Sequence, residues 1–418
     1  MPKNWTFNTL EELSERVCVG FVGTCHKFYR EKGIGVPMIR TTNLSSRGLD
    51  LSDVQYIDLE FHLKQKKSQL KKGDILIARH GTNGQACLYN LEEEANCLNV
   101  VIVRPNQDIT DYKWLLYAIN SPIFRNQVDA HSTGSVQKVV NTTALAIFSI
   151  NTPPLQEQRA ISSIISLIDD KIELNLQMNK TLEDIAMALY KHWFVDLGPF
   201  QDGEFINSEL GMIPKGWEVK RLDEIAHKKS DTFNFSDKEE VVFVNTGDVL
   251  EGRFLHSDKI SKEGLPGQAK KAIAKDDILY SEIRPKNKRY AYVNFDSSDY
   301  VVSTKFMIIN PKANILNKLL YRILTMQSSV DNFNSIAEGR SGTFPQITFD
   351  AISEMEIVLP PLKVQQEFQN IVSPMEMQQD ELYAENQTLT TLRDTLLPKL
   401  ISGEVRVKEA AEILEEAI

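Results

Sequence analysis

Short apolar runs bounded by polar turns give way to long stretches with helical spacing, and this alternation occurs twice along the chain. The runs Val36 to Ile39, Ile75 to Ala78 and Val100 to Val103 have the length and composition of strands, and the spacing from Trp114 to Ile119 is helical. Val241 to Val244, Ile278 to Tyr280 and Phe306 to Ile309 supply the same strand pattern further on. A heptad-like series follows each set. Ile161, Ile165, Ile168, Ile172, Asn175, Asn179, Leu182, Ala186, Leu189 and Trp193 alternate by fours and threes, as in the seam of a coiled coil. Phe368, Val372, Met375, Leu382, Asn386, Leu389 and Leu396 form the second series.

The landmarks between these series also come in pairs. Trp5 to Leu13 matches Trp217 to Ile225, Lys72-Gly-Asp-Ile-Leu matches Lys275-Asp-Asp-Ile-Leu, and Gly134 to Val139 matches Gly342 to Ile347. Thr152-Pro-Pro-Leu matches Leu359-Pro-Pro-Leu. Order is kept and the offset stays between 203 and 212, as when insertions are confined to loops. A repeat of this length is a duplicated domain and not a solenoid unit.

Roughly 38 residues at about 1.5 Å each make the first series a rod on the order of 57 Å, which needs a partner to bury its seam. The second series provides one. The expected fold is α+β: two tandem mixed α/β modules separated by a long antiparallel two-helix coiled coil, with pseudo-twofold symmetry. Asn179 and Asn386 fall at equivalent seam positions, where a buried asparagine fixes register at a cost in stability. Pro374 is expected to kink the second rod or delay its start.

Composition narrows the classes. At 418 residues the chain exceeds one ordinary core, and 42% hydrophobic with 25% charged residues describes a folded protein. No apolar run is long enough to span a membrane, and Met-Pro-Lys-Asn-Trp lacks the order of a secretion signal, so the expected location is the cytoplasm. The net charge of −10 argues against a simple nucleic-acid binder, but lysines and arginines gather at Lys64, Lys66, Lys67, Lys71 and Lys72, and at Lys286, Lys288 and Arg289. Cys18, Cys25, Cys87 and Cys97 read as reduced thiols. A metal site on Cys18, Cys25 and His26 lacks a fourth ligand, so no metal is assigned.

Along nearly its whole length the sequence resembles the specificity subunits of type I restriction-modification systems. The resemblance rests on Leu210-Gly-Met-Ile-Pro-Lys-Gly-Trp-Glu-Val219, on Thr152-Pro-Pro-Leu-Gln-Glu-Gln-Arg-Ala-Ile161 and Leu359-Pro-Pro-Leu, and on Leu396-Leu-Pro-Lys-Leu-Ile-Ser-Gly-Glu404. It implies target recognition domains at 1–152 and 201–360, a central coiled-coil helix and linker at 153–200, and a second such helix at 361–403. An acidic tail at 404–418 is not assigned by the resemblance. It further implies that each recognition domain reads one half of a bipartite site in double-stranded DNA. The helices would set the spacer and bind two methyltransferase subunits, and restriction and translocase subunits would join them. S-adenosylmethionine, ATP and Mg would belong to those partners, with no cofactor in this chain.

Base readout needs side chains that present paired hydrogen bonds, chiefly Arg or Lys to guanine and Asn or Gln to adenine. Polar, Gly-rich loops after strands offer them. The first module contributes Arg40, Thr42 and Asn43, then Arg79, His80, Thr82, Asn83 and Gln85, then Ser135, Gln137 and Lys138. The second contributes Asn245 and Thr246, then Arg284, Lys286, Asn287, Lys288 and Arg289, then Arg340, Ser341, Thr343 and Gln346. Positions correspond while chemistry differs, as two modules reading two sequences require. Plain turns would use the same Gly and Asn residues.

An adenine methyltransferase needs an Asn- or Asp-Pro-Pro-aromatic motif, and Asn151-Thr-Pro-Pro-Leu155 has an intervening threonine and no aromatic ring. No Gly-x-x-x-x-Gly-Lys phosphate loop occurs. The carboxylate pairs Asp169-Asp170 and Asp276-Asp277 read as solvated surface and not as a nuclease metal site. No catalytic residue is assigned. Two rival classes are a stand-alone coiled-coil scaffold, which would not need divergent duplicated loops, and a DNA-modifying enzyme of another type, which would act alone.

Overall fold

A computed structural model describes residues 2–45, 48–79, 85–130, 142–340 and 343–417. The chain divides into two compact units, Met1–Gln177 with Leu382–Ile418, and Met178–Glu381, so the division falls inside both long helices.

In the first unit the apolar runs become the middle of a four-stranded antiparallel sheet, ordered Ala86–Leu88, Ile75–Ala78, Val100–Pro105, Ser14–Val19. Side chains alternate across a strand. Ile75, Ile77, Val101 and Val103 therefore enter one core with Trp114, Leu115 and Ile119 of the helix Tyr112–Asn120. Leu76, Ala78, Val100 and Ile102 enter another, on the opposite face. Burial on both faces is why these strands read as continuous apolar runs. The second core is shared with a five-stranded sheet in which Val36–Arg40 runs parallel to Ala95–Leu98.

The second unit repeats the plan. Ala226–Lys229, Phe306–Pro311, Ile278–Ser281 and Tyr290–Tyr292 form the antiparallel sheet, and Glu240–Val244 runs parallel to Tyr300–Ser303 in the other. Ile278, Tyr280, Met307 and Ile309 face the core that holds Leu319, Leu320 and Ile323 of the helix Asn317–Thr325. Leu279, Phe306 and Ile308 face the other core.

The long helices are Leu155–Tyr190, of 36 residues, and Leu362–Ser402, of 41. In the first unit they pair antiparallel: Asn175 meets Asn386 and Asp169 meets Arg393, so numbering rises along one helix as it falls along the other. The expectation for Pro374 is corrected in one respect. The second helix starts at Leu362 and runs through Pro374, so the proline does not delay its start, and its missing N–H removes the helical bond to the carbonyl of Asn370.

Residues 404–418 do more than form an acidic tail. Val407–Ala417 is a helix whose apolar positions Val407, Ala410, Ala411 and Leu414 face the first unit's core, with Ala410 and Leu414 buried. Arg406 anchors it to Glu157 at 2.6 Å. Among the described residues no helix is long and apolar enough to cross a membrane.

Candidate nucleic-acid interface

The loops after Arg40, Ala78, Val244 and Ser281 leave the ends of strands whose side chains are largely buried, and the loop after Arg340 leaves the end of the helix Gln327–Arg340. In the first module Arg40 ends its strand and donates to the Asp53 carboxylate at 2.9 Å. Thr42 is exposed. Asn43 is only 2% exposed. Its Oδ1 accepts from the Arg40 backbone N–H and its Nδ2 donates to the Asp50 carbonyl, both at 2.9 Å, so this amide shapes the loop. Arg79 and Gln85 flank the hairpin between Ile75–Ala78 and Ala86–Leu88, and the short strand Leu44–Ser45 packs against both of those strands. Arg79 Nε and Gln85 Nε2 are buried with no hydrogen-bond partner among the described residues. His80, Thr82, Asn83, Ser135, Gln137 and Lys138 lie outside the described residues, as do Ser341, Gly134 and Gly342.

The second module brings its three candidate loops together. Arg289 donates from Nη1 to the carbonyls of Gly247 at 2.8 Å and Val249 at 2.9 Å, tying the 282–289 loop to the 245–248 loop. The Arg284 N–H donates to the Pro345 carbonyl at 3.0 Å and the Ile347 N–H to the Glu282 carbonyl at 2.8 Å, which joins the third loop. Arg284 and Lys288 have φ of 45° and 52°, a left-handed backbone that turns the chain sharply on either side of Pro285–Asn287. Arg284 and Asn287 are exposed. Lys286 stands 3.7 Å from Glu338 and Lys288 3.0 Å from Glu251. Asn245 accepts from the Thr246 N–H at 2.8 Å, and Thr246 is half-buried. Arg340 Nη1 reaches Thr348 Oγ1 at 3.5 Å; Thr343 is exposed and Gln346 is half-buried, bridged to Ile283.

One residue of this cluster that side-chain pairing rules do not pick out is Phe344, 48% exposed between Thr343 and Pro345. An aromatic ring at a loop tip offers a stacking face where hydrogen-bond logic looks only for polar groups.

The solvated reading of the carboxylate pairs fails for Asp277, which is buried. It accepts from the Ala274 N–H at 2.8 Å and from Asn310 Nδ2 at 2.6 Å, beside Lys229 at 3.3 Å. Its counterpart Asp74 takes both arms of Arg104 at 2.7 Å. Two aligned aspartates thus close the same turn in both modules with different cations. Asp169 is likewise engaged, by Tyr117 and Arg393. Cys87 and Cys97 are buried, and burial pushes the Cys87 thiol up to about 12. No group of three or more His, Cys, Asp or Glu residues able to hold a metal occurs among the described residues.

Residues 2–184 and 214–390 match the pattern of the type I restriction modification DNA specificity domain. The chain is 43% identical over 203 residues to the type I restriction enzyme HindI specificity subunit of Haemophilus influenzae, a match covering 48% of this chain and 44% of that protein. It is 27% identical over 432 residues to the MjaIX specificity subunit of Methanocaldococcus jannaschii, covering 98% and 95% of the two chains. The crystal structure of the S subunit of a type I restriction-modification system from M. genitalium superposes with a TM-score of 0.57 at 16% identity, over 95% of this chain and 96% of that one. At that identity the likeness speaks for the fold alone.

Proposed function

Because this chain belongs to the family defined by the type I restriction modification DNA specificity domain, which it carries twice in tandem, we propose that each module reads one block of a split site in double-stranded DNA. The observation that carries this reading is the same strand order in the four-stranded antiparallel sheet of both modules, with different side chains on corresponding loops. Phosphate contacts fix register and base contacts carry the sequence, so divergent loops on a repeated frame give two different blocks from one architecture. Readout falls to the polar residues named above: Thr42, Arg79 and Gln85 in the first module, and Arg284, Asn287, Thr343 and Gln346 in the second.

The chain acts as the non-catalytic member of its complex in this reading. The paired helices set the gap between the blocks and carry two methyltransferase subunits. Exposed leucines support that role: Leu167 and Leu174, seven residues apart, leave an apolar strip on the first unit's helix, and Met178 and Ile185 do so in the second. S-adenosylmethionine, ATP and Mg belong to the partner subunits, including the restriction and translocase subunits, and the complex works in the cytoplasm. A scaffold or a self-sufficient modifying enzyme would not call for the duplicated specificity domain.

The test is the adenine-methylation map of the host with and without this gene. Two short specific blocks around a fixed stretch of arbitrary bases should vanish on deletion. A lost motif made of one uninterrupted tract would refute the reading.

A further inference from the structure

Three lysines are neighbours where the 282–289 loop leaves its sheet. Lys228, on the strand Ala226–Lys229, stands 3.5 Å from the Glu282 carboxylate. The Glu282 N–H donates to the carbonyl of Lys305 at 2.9 Å, and Lys271 Nζ donates to the carbonyl of the next residue, Phe306, at 2.6 Å. Lys271 is only 9% exposed. Burial, and after it the charge of Lys228 and Lys305, depresses its pKa against the opposing pull of Glu282. Of these three lysines only Lys228 is paired with the carboxylate, Lys271 is held by a carbonyl, and Lys305 has no ion-pair partner among the described residues.

A charge excess held partly out of water is relieved by an anion. We propose that Lys228, Lys271 and Lys305 form a site for a backbone phosphodiester of duplex DNA, next to the bases met by the 282–289 loop. The proposal rests on the reading of this module as a DNA-binding one. Such a contact positions the duplex and carries no sequence information itself.

The first module arrives at the same place with different residues. Its edge strand Gln69–Leu70 pairs with Ala95–Leu98 as Ala269–Ala272 pairs with Tyr300–Ser303. Exposed Lys64, Lys66 and Lys67 stand just before that strand, and the Lys67 carbonyl meets Cys18 Sγ at 3.9 Å, on the strand corresponding to that of Lys228. Lysines that do not align in sequence gather at one location of the repeated frame.

The experiment measures binding of the full chain to a duplex of arbitrary sequence across a salt series, for the parent, the double variant Lys228→Gln/Lys305→Gln and the control Lys363→Gln. Both substituted side chains of the double variant lie at the surface or partly so, and an unchanged melting temperature verifies its fold. The slope of log affinity against log salt should shrink by about 0.9 for each phosphate contact removed, with affinity at about 0.1 M salt falling roughly tenfold or more. The control should keep the parent's slope. A double variant with the parent's slope would overturn the proposal, as would one that loses binding of inorganic phosphate while duplex binding is untouched. The methylation motif should remain two blocks in the double variant, so failure here leaves the modular reading standing, while a one-block motif fails that reading whatever the slope.

Discussion

Gln158 and Gln365, 207 positions apart, make the same three hydrogen bonds in their respective modules. Gln158 accepts from the Asp111 N–H at 2.8 Å and donates to the carbonyls of Ile109 at 3.0 Å and Pro153 at 2.9 Å. Gln365 accepts from the Leu316 N–H at 2.9 Å and donates to Asn314 at 3.0 Å and Pro360 at 2.8 Å. Both side chains are fully buried, and each fastens the first turn of a long helix to the start of the helix that covers the sheet.

Gln158→Leu should therefore loosen the first module and Gln365→Leu the second, at roughly 1–3 kcal/mol for each buried backbone group left unpaired. Amide hydrogen exchange checks this residue by residue. The Asp111 amide should exchange faster in the first variant and the Leu316 amide in the second. Acceleration of both amides by either variant would show that the two modules do not stand as separate units.

The seam asparagines divide into two kinds. Asn175 Nδ2 donates to Asn386 Oδ1 at 2.9 Å and to Glu385 at 2.7 Å, while Asn386 Nδ2 reaches the Ile172 carbonyl at 3.3 Å. Asn179, 3% exposed, has neither side-chain amide atom bonded among the described residues. Asn179→Leu should raise the melting temperature, since a buried amide without partners costs roughly 1–3 kcal/mol. Asn386→Leu should lower it by stripping Asn175 of a partner. Calorimetry of the two single variants decides the matter, and a shift of the same sign in both would contradict the assignment.

Acid should weaken the second unit through Glu376. Burial pushes its carboxyl up, but Lys318 at 2.7 Å and Arg322 at 2.8 Å outweigh that and hold it below its ordinary value. A depressed carboxylate gives stability that is fully present above the unfolded value, about 4.3, and lost as pH falls through the folded one. Melting temperatures should fall below about pH 4.3 in the parent. Glu376→Gln, which leaves buried Arg322 with only the longer contact to Glu183 at 3.6 Å, should cost up to roughly 3 kcal/mol at neutral pH, at or below the lower end for breaking a buried pair. Its deficit should shrink in acid, and a constant deficit from pH 7 downward would contradict this ion-pair account.

What was legible in the sequence was whatever repeats with a period. Ile75 to Ala78 and Val100 to Val103 announce strands because both faces are buried, and Ile161 to Ile172 announce a helix because one stripe is. The duplicated landmarks located two modules before any strand was paired. The loops were legible only as places. Asn43 looks like a base reader in sequence but is turned inward by two backbone partners, and Arg289 ties two loops together. Lys305 carries no signal at all: a single lysine in a turn gains meaning only when pairing of distant strands sets it beside Lys228 and Lys271. The helix Val407–Ala417 was hidden by its acidic residues, of which Glu409, Glu412 and Glu415 are exposed while Ala410 and Leu414 are buried.

The division of labour between modules is tested most directly by methylation maps of cells carrying Arg79→Ala or Arg284→Ala, read base by base across the motif. Each loss of a paired contact to a base should cost about 1–3 kcal/mol of discrimination. Arg79→Ala should relax positions within one block only, Arg284→Ala positions within the other only, with the gap between blocks unchanged. Relaxation of both blocks by either substitution would contradict the reading of one block by each module.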